Sequence, residues 1–205
     1  MRHTSEKILV GVMSFFALTG LTAVALRDDD GATGRVRAAS APAPQPEMDR
    51  STPPPDAAAW FSSIRHHCNA VEVQSRLRAT PPPATAEGDI HAAACYSLAG
   101  RVDLARDLIR GLPGEAHLHA AAVVFAAGHP AADAGDKAAA GPLMELVVEF
   151  WPDHEMALYH AGAARFERGD DDVADDYLER FLAAYSVEDG WRTSATTMLE
   201  QIRSR

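Results

Sequence analysis

Apolar residues follow two different patterns along this chain of 205 residues, separated by a stretch that has neither. Ile8 to Leu26 (ILVGVMSFFALTGLTAVAL) is an uncharged, mostly apolar run. From Asp56 onward, apolar positions recur at spacings of three and four with polar residues between them, the period of amphipathic helices, and no convincing two-residue alternation appears. Residues 27–55 carry six prolines among Gly, Ala and Ser and hold too little apolar surface to build a core. The chain therefore divides into an apolar segment 1–26, a linker 27–55 and an all-α domain 56–205.

Breakers mark the helix ends within that domain. Ala57–His67 and Ala70–Ala79 form a first pair, with Asn69 placed to cap the second helix and Pro81-Pro82-Pro83 to stop it. Gly88–Leu98 and Val102–Arg110 follow, turning at Gly100 and ending at Gly111 and Pro113. The next pair is His117–Ala127 and Lys137–Phe150, separated by a loop from Gly128 to Gly135. Pro142 suits the first turn of the second member. Ala157–Tyr185 reads as two helices around Gly169-Asp170, the second carrying an apolar stripe of Ala174, Leu178, Phe181 and Leu182. A last amphipathic segment, Trp191–Ile202, follows Asp189 as N-cap.

The turns recur in phase. Gly100, Gly135 and Gly169 stand 35 and 34 residues apart. Five positions after each glycine comes an alanine (Ala105, Ala140, Ala174), and seven before it a small residue (Ala93, Gly128, Gly162). Ile109, Met144 and Leu178 follow the alanines by four. Small residues let the two helices of a pair touch, and the larger ones fill the space between pairs.

This pattern resembles the tetratricopeptide repeat, a helix-turn-helix unit of about 34 residues. The residues that carry the resemblance are Ala93, Tyr96, Gly100 and Ala105 in one unit, and Leu158, Gly162, Gly169, Ala174 and Phe181 in another. Pro152 stands where a unit-ending proline belongs. The resemblance covers about residues 86–186, with 56–83 as a degenerate further unit. Gly128-His129-Pro130 and Arg165 depart from the pattern. The whole chain is also similar to small membrane-anchored repeat proteins of bacteria. The resemblance implies a short α-solenoid of helical hairpins with a C-terminal capping helix, acting as a protein-interaction scaffold rather than an enzyme. Its groove would be lined by Ile90, Ala94, Ser97 and Leu98, and by Met156, Tyr159, Ala163, Phe166 and Glu167. Such an apolar lining suits an amphipathic helix or extended segment of another protein. Packing of Tyr159 and Phe166 against the final helix is the competing role.

Composition sharpens this picture. Hydrophobic residues make up 47% of the chain and aromatics only 7%, which favours close helix packing over a β-sandwich. The formal charge of −10 excludes nucleic acid as the expected partner, because phosphate binding needs clustered Lys and Arg. All of the excess lies in residues 56–205, where 23 acidic residues face 13 Lys and Arg. Glu167–Glu179 alone holds seven acidic residues and one Arg, either a solvated face or a contact for a basic partner.

As a helix, residues 8–26 would span about 28 Å, close to the hydrocarbon thickness of a bilayer. Arg2 and Lys7 precede the run and Asp28-Asp29-Asp30 follow it, so the N-terminus is expected in the cytoplasm and the domain outside it. The alternative is a signal peptide cleaved near Ala25, after Ala23-Val24-Ala25. The linker could reach up to about 90 Å as a polyproline stalk.

In an exported domain, Cys68 and Cys95 are expected to form a disulfide, with two buried thiols as the alternative. A competing function of another class is a metal- or redox-linked domain centred on Cys68, Cys95 and His91, drawing in His67. No cofactor or metal is expected on the main reading. His129, Asp133 and Asp136 make the oddest polar segment, but no nucleophile stands beside them, so Asp133 or Asp136 is expected to cap the helix from Lys137.

Overall fold

The computed structural model describes residues 56–205, of which 78% are helical and none lies in a strand. The expected membrane segment 8–26 and the linker 27–55 lie outside the described residues. Among the described residues no helix is long and apolar enough to cross a membrane. The helices are α1 Ala57–Ile64, α2 Val73–Ala79, α3 Ala86–Leu98, α4 Val102–Gly111 and α5 Gly114–Asp133. They continue with α6 Lys137–Phe150, α7 Glu155–Arg168, α8 Asp171–Ala184 and α9 Gly190–Arg203. The fold is all-α and built of helical hairpins: α3 pairs with α4, α5 with α6 and α7 with α8. Adjacent pairs meet through α3 against α5 and α6 against α7, while α9 covers α8 and α7.

One turn geometry is used three times. Gly100, Gly135 and Gly169 have φ of 71°, 86° and 76°, a left-handed backbone that only glycine adopts without strain. Each glycine N–H donates to the carbonyl three residues back (Ser97, Ala132, Phe166), and the next N–H donates to the one five residues back from itself (Tyr96, Ala131, Arg165). This is the Schellman arrangement, which satisfies the last carbonyls of the first helix. The residue after each glycine then accepts from the alanine four further on, starting the second helix: Ala105 to Arg101, Ala140 to Asp136 and Ala174 to Asp170.

The small residues sit where the hairpin helices touch. Ala93, Ala105 and Ala174 are fully buried, as are Ile109, Met144 and Leu178. A β-carbon on Gly162 would stand 2.8 Å from Leu178 Cγ, and one on Gly128 would stand 2.6 Å from Leu143 Cδ1. Both separations are below contact distance, so the leucines occupy space that only a missing side chain leaves open. Gly141 does the same between pairs, where a β-carbon would meet that of Ala164 at 2.5 Å.

The N-terminal part is less regular. α1 runs into a 3-10 turn at Arg65–His67, and Asn69 accepts from the N–H groups of Val71 and Glu72 before α2 begins. Trp60 is buried and donates its indole N–H to the Thr80 carbonyl at 3.1 Å. Cys68 and Cys95 are joined by a disulfide that fastens this segment to α3. Thr85, which the breaker pattern alone does not single out, caps α3 by accepting from Gly88 N–H.

Two proline expectations are corrected. The predicted loop Gly128–Gly135 is helical through Asp133, and α5 passes over Pro130 without ending. Pro130 has no N–H for the Ala126 carbonyl, which lies on an exposed residue that water can serve. The neighbouring Ala127 carbonyl accepts from Arg65 at 2.9 Å. Pro142 lies beyond the first turn of α6 rather than within it, and the Ala138 carbonyl, to which Pro142 has no N–H to donate, is likewise on an exposed residue.

The acidic run is held largely by the chain's own arginines. Arg203 reaches Glu179 at 2.6 Å and Asp175 at 3.4 Å, and Arg205 reaches Asp171 at 2.7 Å. Arg165 grips Glu145 with two nitrogens and also meets Asp170. Arg192 of α9 donates to the Leu182 and Tyr185 carbonyls, capping the C-terminal end of α8.

Two predictions follow from this geometry. Gly169→Ala has free space around the new methyl group but a left-handed φ, so it should destabilise the domain by about 1 kcal/mol. Gly190→Ala, in equally free space at the start of α9 and without positive φ, should be neutral or slightly stabilising; urea unfolding of the two variants checks the difference in sign. Removing the disulfide, which closes a loop with a sequence separation of 27, should cost about 3.5 kcal/mol by chain entropy. The Cys68→Ala/Cys95→Ala protein should match the reduced wild type in urea midpoint.

Candidate functional site

The groove expected from the repeat resemblance does not form an open surface. Ile90, Ala94, Ser97, Tyr159 and Ala163 are all buried. Helix α3 is enclosed by α1 and α5 as well as α4, which removes the first group from solvent. In the second group Tyr159 lies under α9: it packs edge-on to Phe181 and Trp191, and its hydroxyl donates to Ser194 at 2.9 Å. Leu98 and Met156 are half-buried against the core. Phe166 lies beneath the Arg205 guanidinium, and Glu167 is paired with Lys137 at 2.6 Å. The capping helix therefore takes the contacts that Tyr159 would have offered a partner, and neighbouring helices take those of the first group.

An apolar groove is present on a different face. Side chains of Leu77, Pro82, Ala92, Tyr96, Leu104 and Leu108 line an open depression between α2, α3 and α4, with a volume of about 430 Å³ and with Gln74, Arg78 and Asp89 among its lining. Asp89, Ala92 and Tyr96 lie on one side of α3 because they are three and four residues apart. Tyr96, assigned by the resemblance to repeat packing, is only partly buried there. The helical period of α3 and α4 carries this information, but the packing of α2 decides which face stays open.

The ligand set proposed around Cys68, Cys95 and His91 is not assembled. Both sulfurs are consumed by their mutual bond, and His91 Nδ1 lies 2.9 Å from the Glu87 carbonyl. His67 sits between Glu72 and Arg76.

A second cluster has a different character. Among the described residues, the ligand-type side chains drawn together are His129, Asp133 and His160, whose donor atoms all lie within 4.8 Å of one another. His129 and Asp133 are one turn apart on α5, which puts both on one face. His160 approaches from α7. Asp133 Oδ1 stands 3.3 Å from His129 Nε2 and 3.5 Å from His160 Nε2. Both imidazole nitrogens are buried and neither has a hydrogen-bond partner. His160 is 4% exposed, walled by Tyr159 and Trp191, whereas Asp133 is open to solvent on one side.

Burial pushes the His160 imidazole down to about 4, helped by the His129 ring and Lys137 and opposed by Asp133. His154 is also pushed below its usual value, chiefly by burial, and its Nδ1 accepts from Ala157 N–H to cap α7. Lys137, the nearest cation of α6, is tied to Glu167. Asp136, not Asp133, caps α6 by accepting from Ala139 N–H at 3.1 Å. Asp133 is thus left free of the capping role, facing the two histidines. The His129–Asp133 spacing was readable once helix is assigned there; the approach of His160 from a separate hairpin was not.

No described protein family, curated protein or solved structure matches the chain.

The depressed His160 value gives a pH prediction. Between about 4 and 6.5 the unfolded chain binds a proton at this residue that the folded chain does not. Stability is therefore unaffected above 6.5 and falls as the pH drops towards 4, by about 3 kcal/mol when complete. With chelator present, urea midpoints at pH 7 and 4.5 should differ more for wild type than for His160→Leu.

Proposed function

We propose that this chain is a membrane-tethered, extracytoplasmic protein-binding module built from tetratricopeptide-like hairpins. The observation that carries the reading is the open apolar groove between α2, α3 and α4, where Tyr96, Leu104 and Leu108 keep part of their surface outside the core. An open apolar groove between helices suits a short helical or extended apolar segment of another protein. Arg78 and Asp89, one cation and one anion, would give it polarity along its length. The three equivalent left-handed turns, at spacings of 35 and 34 residues, support the kinship to tetratricopeptide repeats. The uncharged run 8–26 supports a membrane tether, and the disulfide supports an oxidising compartment. The acidic balance of the domain disfavours nucleic acid.

The test is site-specific photocrosslinking of the full chain in its native membrane. A crosslinker at Leu108 should capture a discrete polypeptide, and one at Thr196 on exposed α9 should not. Leu104→Lys, which leaves the buried positions of α4 in place, should abolish that capture while the far-ultraviolet spectrum stays helical. Capture that is equal at both sites, or indifferent to Leu104→Lys, would remove the groove as the binding surface.

A further inference from the structure

We propose that His129, Asp133 and His160 form a binding site for one divalent transition-metal ion of the Zn²⁺ type. This site is independent of the partner-binding groove and lies on other elements.

The first ground is the pair of unsatisfied nitrogens. A buried imidazole nitrogen without a partner costs free energy, and native folds avoid it unless the group has another use. Here two such atoms, His129 Nε2 and His160 Nε2, face the same carboxylate from two helices. Neither stands within hydrogen-bonding geometry of Asp133 despite the short separations, so hydrogen bonding does not account for the arrangement.

The second ground is geometry. Around a tetrahedral ion with bonds of about 2.0–2.1 Å, neighbouring donor atoms are about 3.3–3.4 Å apart. The two donor separations to Asp133 Oδ1 are 3.3 and 3.5 Å, and the remaining pair lies within 4.8 Å. Small side-chain rotations close the triangle, and the exposed side of Asp133 leaves a fourth position to water. Two imidazoles and one carboxylate suit zinc and its first-row neighbours, whereas calcium and magnesium prefer oxygen alone.

The third ground is electrostatic. The Asp133 carboxylate supplies a negative charge to the site, and Tyr159 and Trp191 wall water off from the His160 side of it. Lys137 opposes a cation here, but its ammonium is held by Glu167 at 2.6 Å. A bound ion would pin the last turn of α5 to α7 across the interface between successive hairpins.

The test uses the full chain in detergent, freed of metal by chelator, then titrated with Zn²⁺ and, as a visible probe, with Co²⁺. One equivalent of Zn²⁺ should raise the melting temperature, and Co²⁺ should give ligand-field absorption at the same stoichiometry. Asp133→Asn, at an exposed side chain that cannot unfold the core, should weaken Zn²⁺ binding by at least about tenfold. His129→Gln should do the same, while His119→Gln, on a surface pair with Glu87, should change nothing. No thermal shift, or a shift that survives in Asp133→Asn and His129→Gln alike, overturns the site.

Discussion

Close approach of helix backbones at small residues is the constraint on which this domain depends. In each of the three hairpins a residue no larger than alanine stands seven positions before the turn glycine, and Ala105, Ala140 or Ala174 stands five after it. At Gly128 and Gly162 even a methyl group would intrude on Leu143 and Leu178. Helices packed this closely exchange many dispersion contacts per residue, which lets an alanine-rich sequence with few aromatics hold a core. The left-handed glycine turns serve the same end. They reverse the chain in the fewest residues while satisfying the carbonyls that the first helix would otherwise leave open.

The two ends of the domain are closed by different physics. At the N-terminal side, α1 and α2 are short and could not hold themselves; Trp60 and the Cys68–Cys95 bond fasten them to α3 and its surroundings. At the C-terminal side, α9 lays Ala195, Met198 and Leu199 into the core and its terminal arginines onto the acidic face of α8. The acidic run Glu167–Glu179 therefore has its counter-charges in cis. Surface pairs of this kind contribute little each, and they set the position of α9 more than they stabilise it. The same helix covers Tyr159, which closes the surface that the repeat resemblance would have opened.

These closures leave two features unaccounted for by packing alone: the groove beside Tyr96, Leu104 and Leu108, and the His129–Asp133–His160 cluster. One is an apolar surface that folding leaves wet. The other is a set of polar atoms that folding leaves dry and unpaired. Each runs against the usual direction of burial, and native structures keep such exceptions where function uses them.

The amino-acid sequence alone makes legible the all-helical class, most helix boundaries, the three turn glycines and the small residues at the hairpin contacts. These are local matters: helical period, capping chemistry and a left-handed φ are set by residues within a turn or two of each other. It misjudged Gly128–Gly135, because the Gly-His-Pro triplet signals a break that neighbouring packing and the Arg65 bond to Ala127 override. Which side of α3 faces water, that α9 buries Tyr159, and that His160 meets Asp133 were decided only by tertiary structure. Each depends on how separate hairpins stack, and stacking follows from shape summed over many side chains, which no single spacing along the chain records.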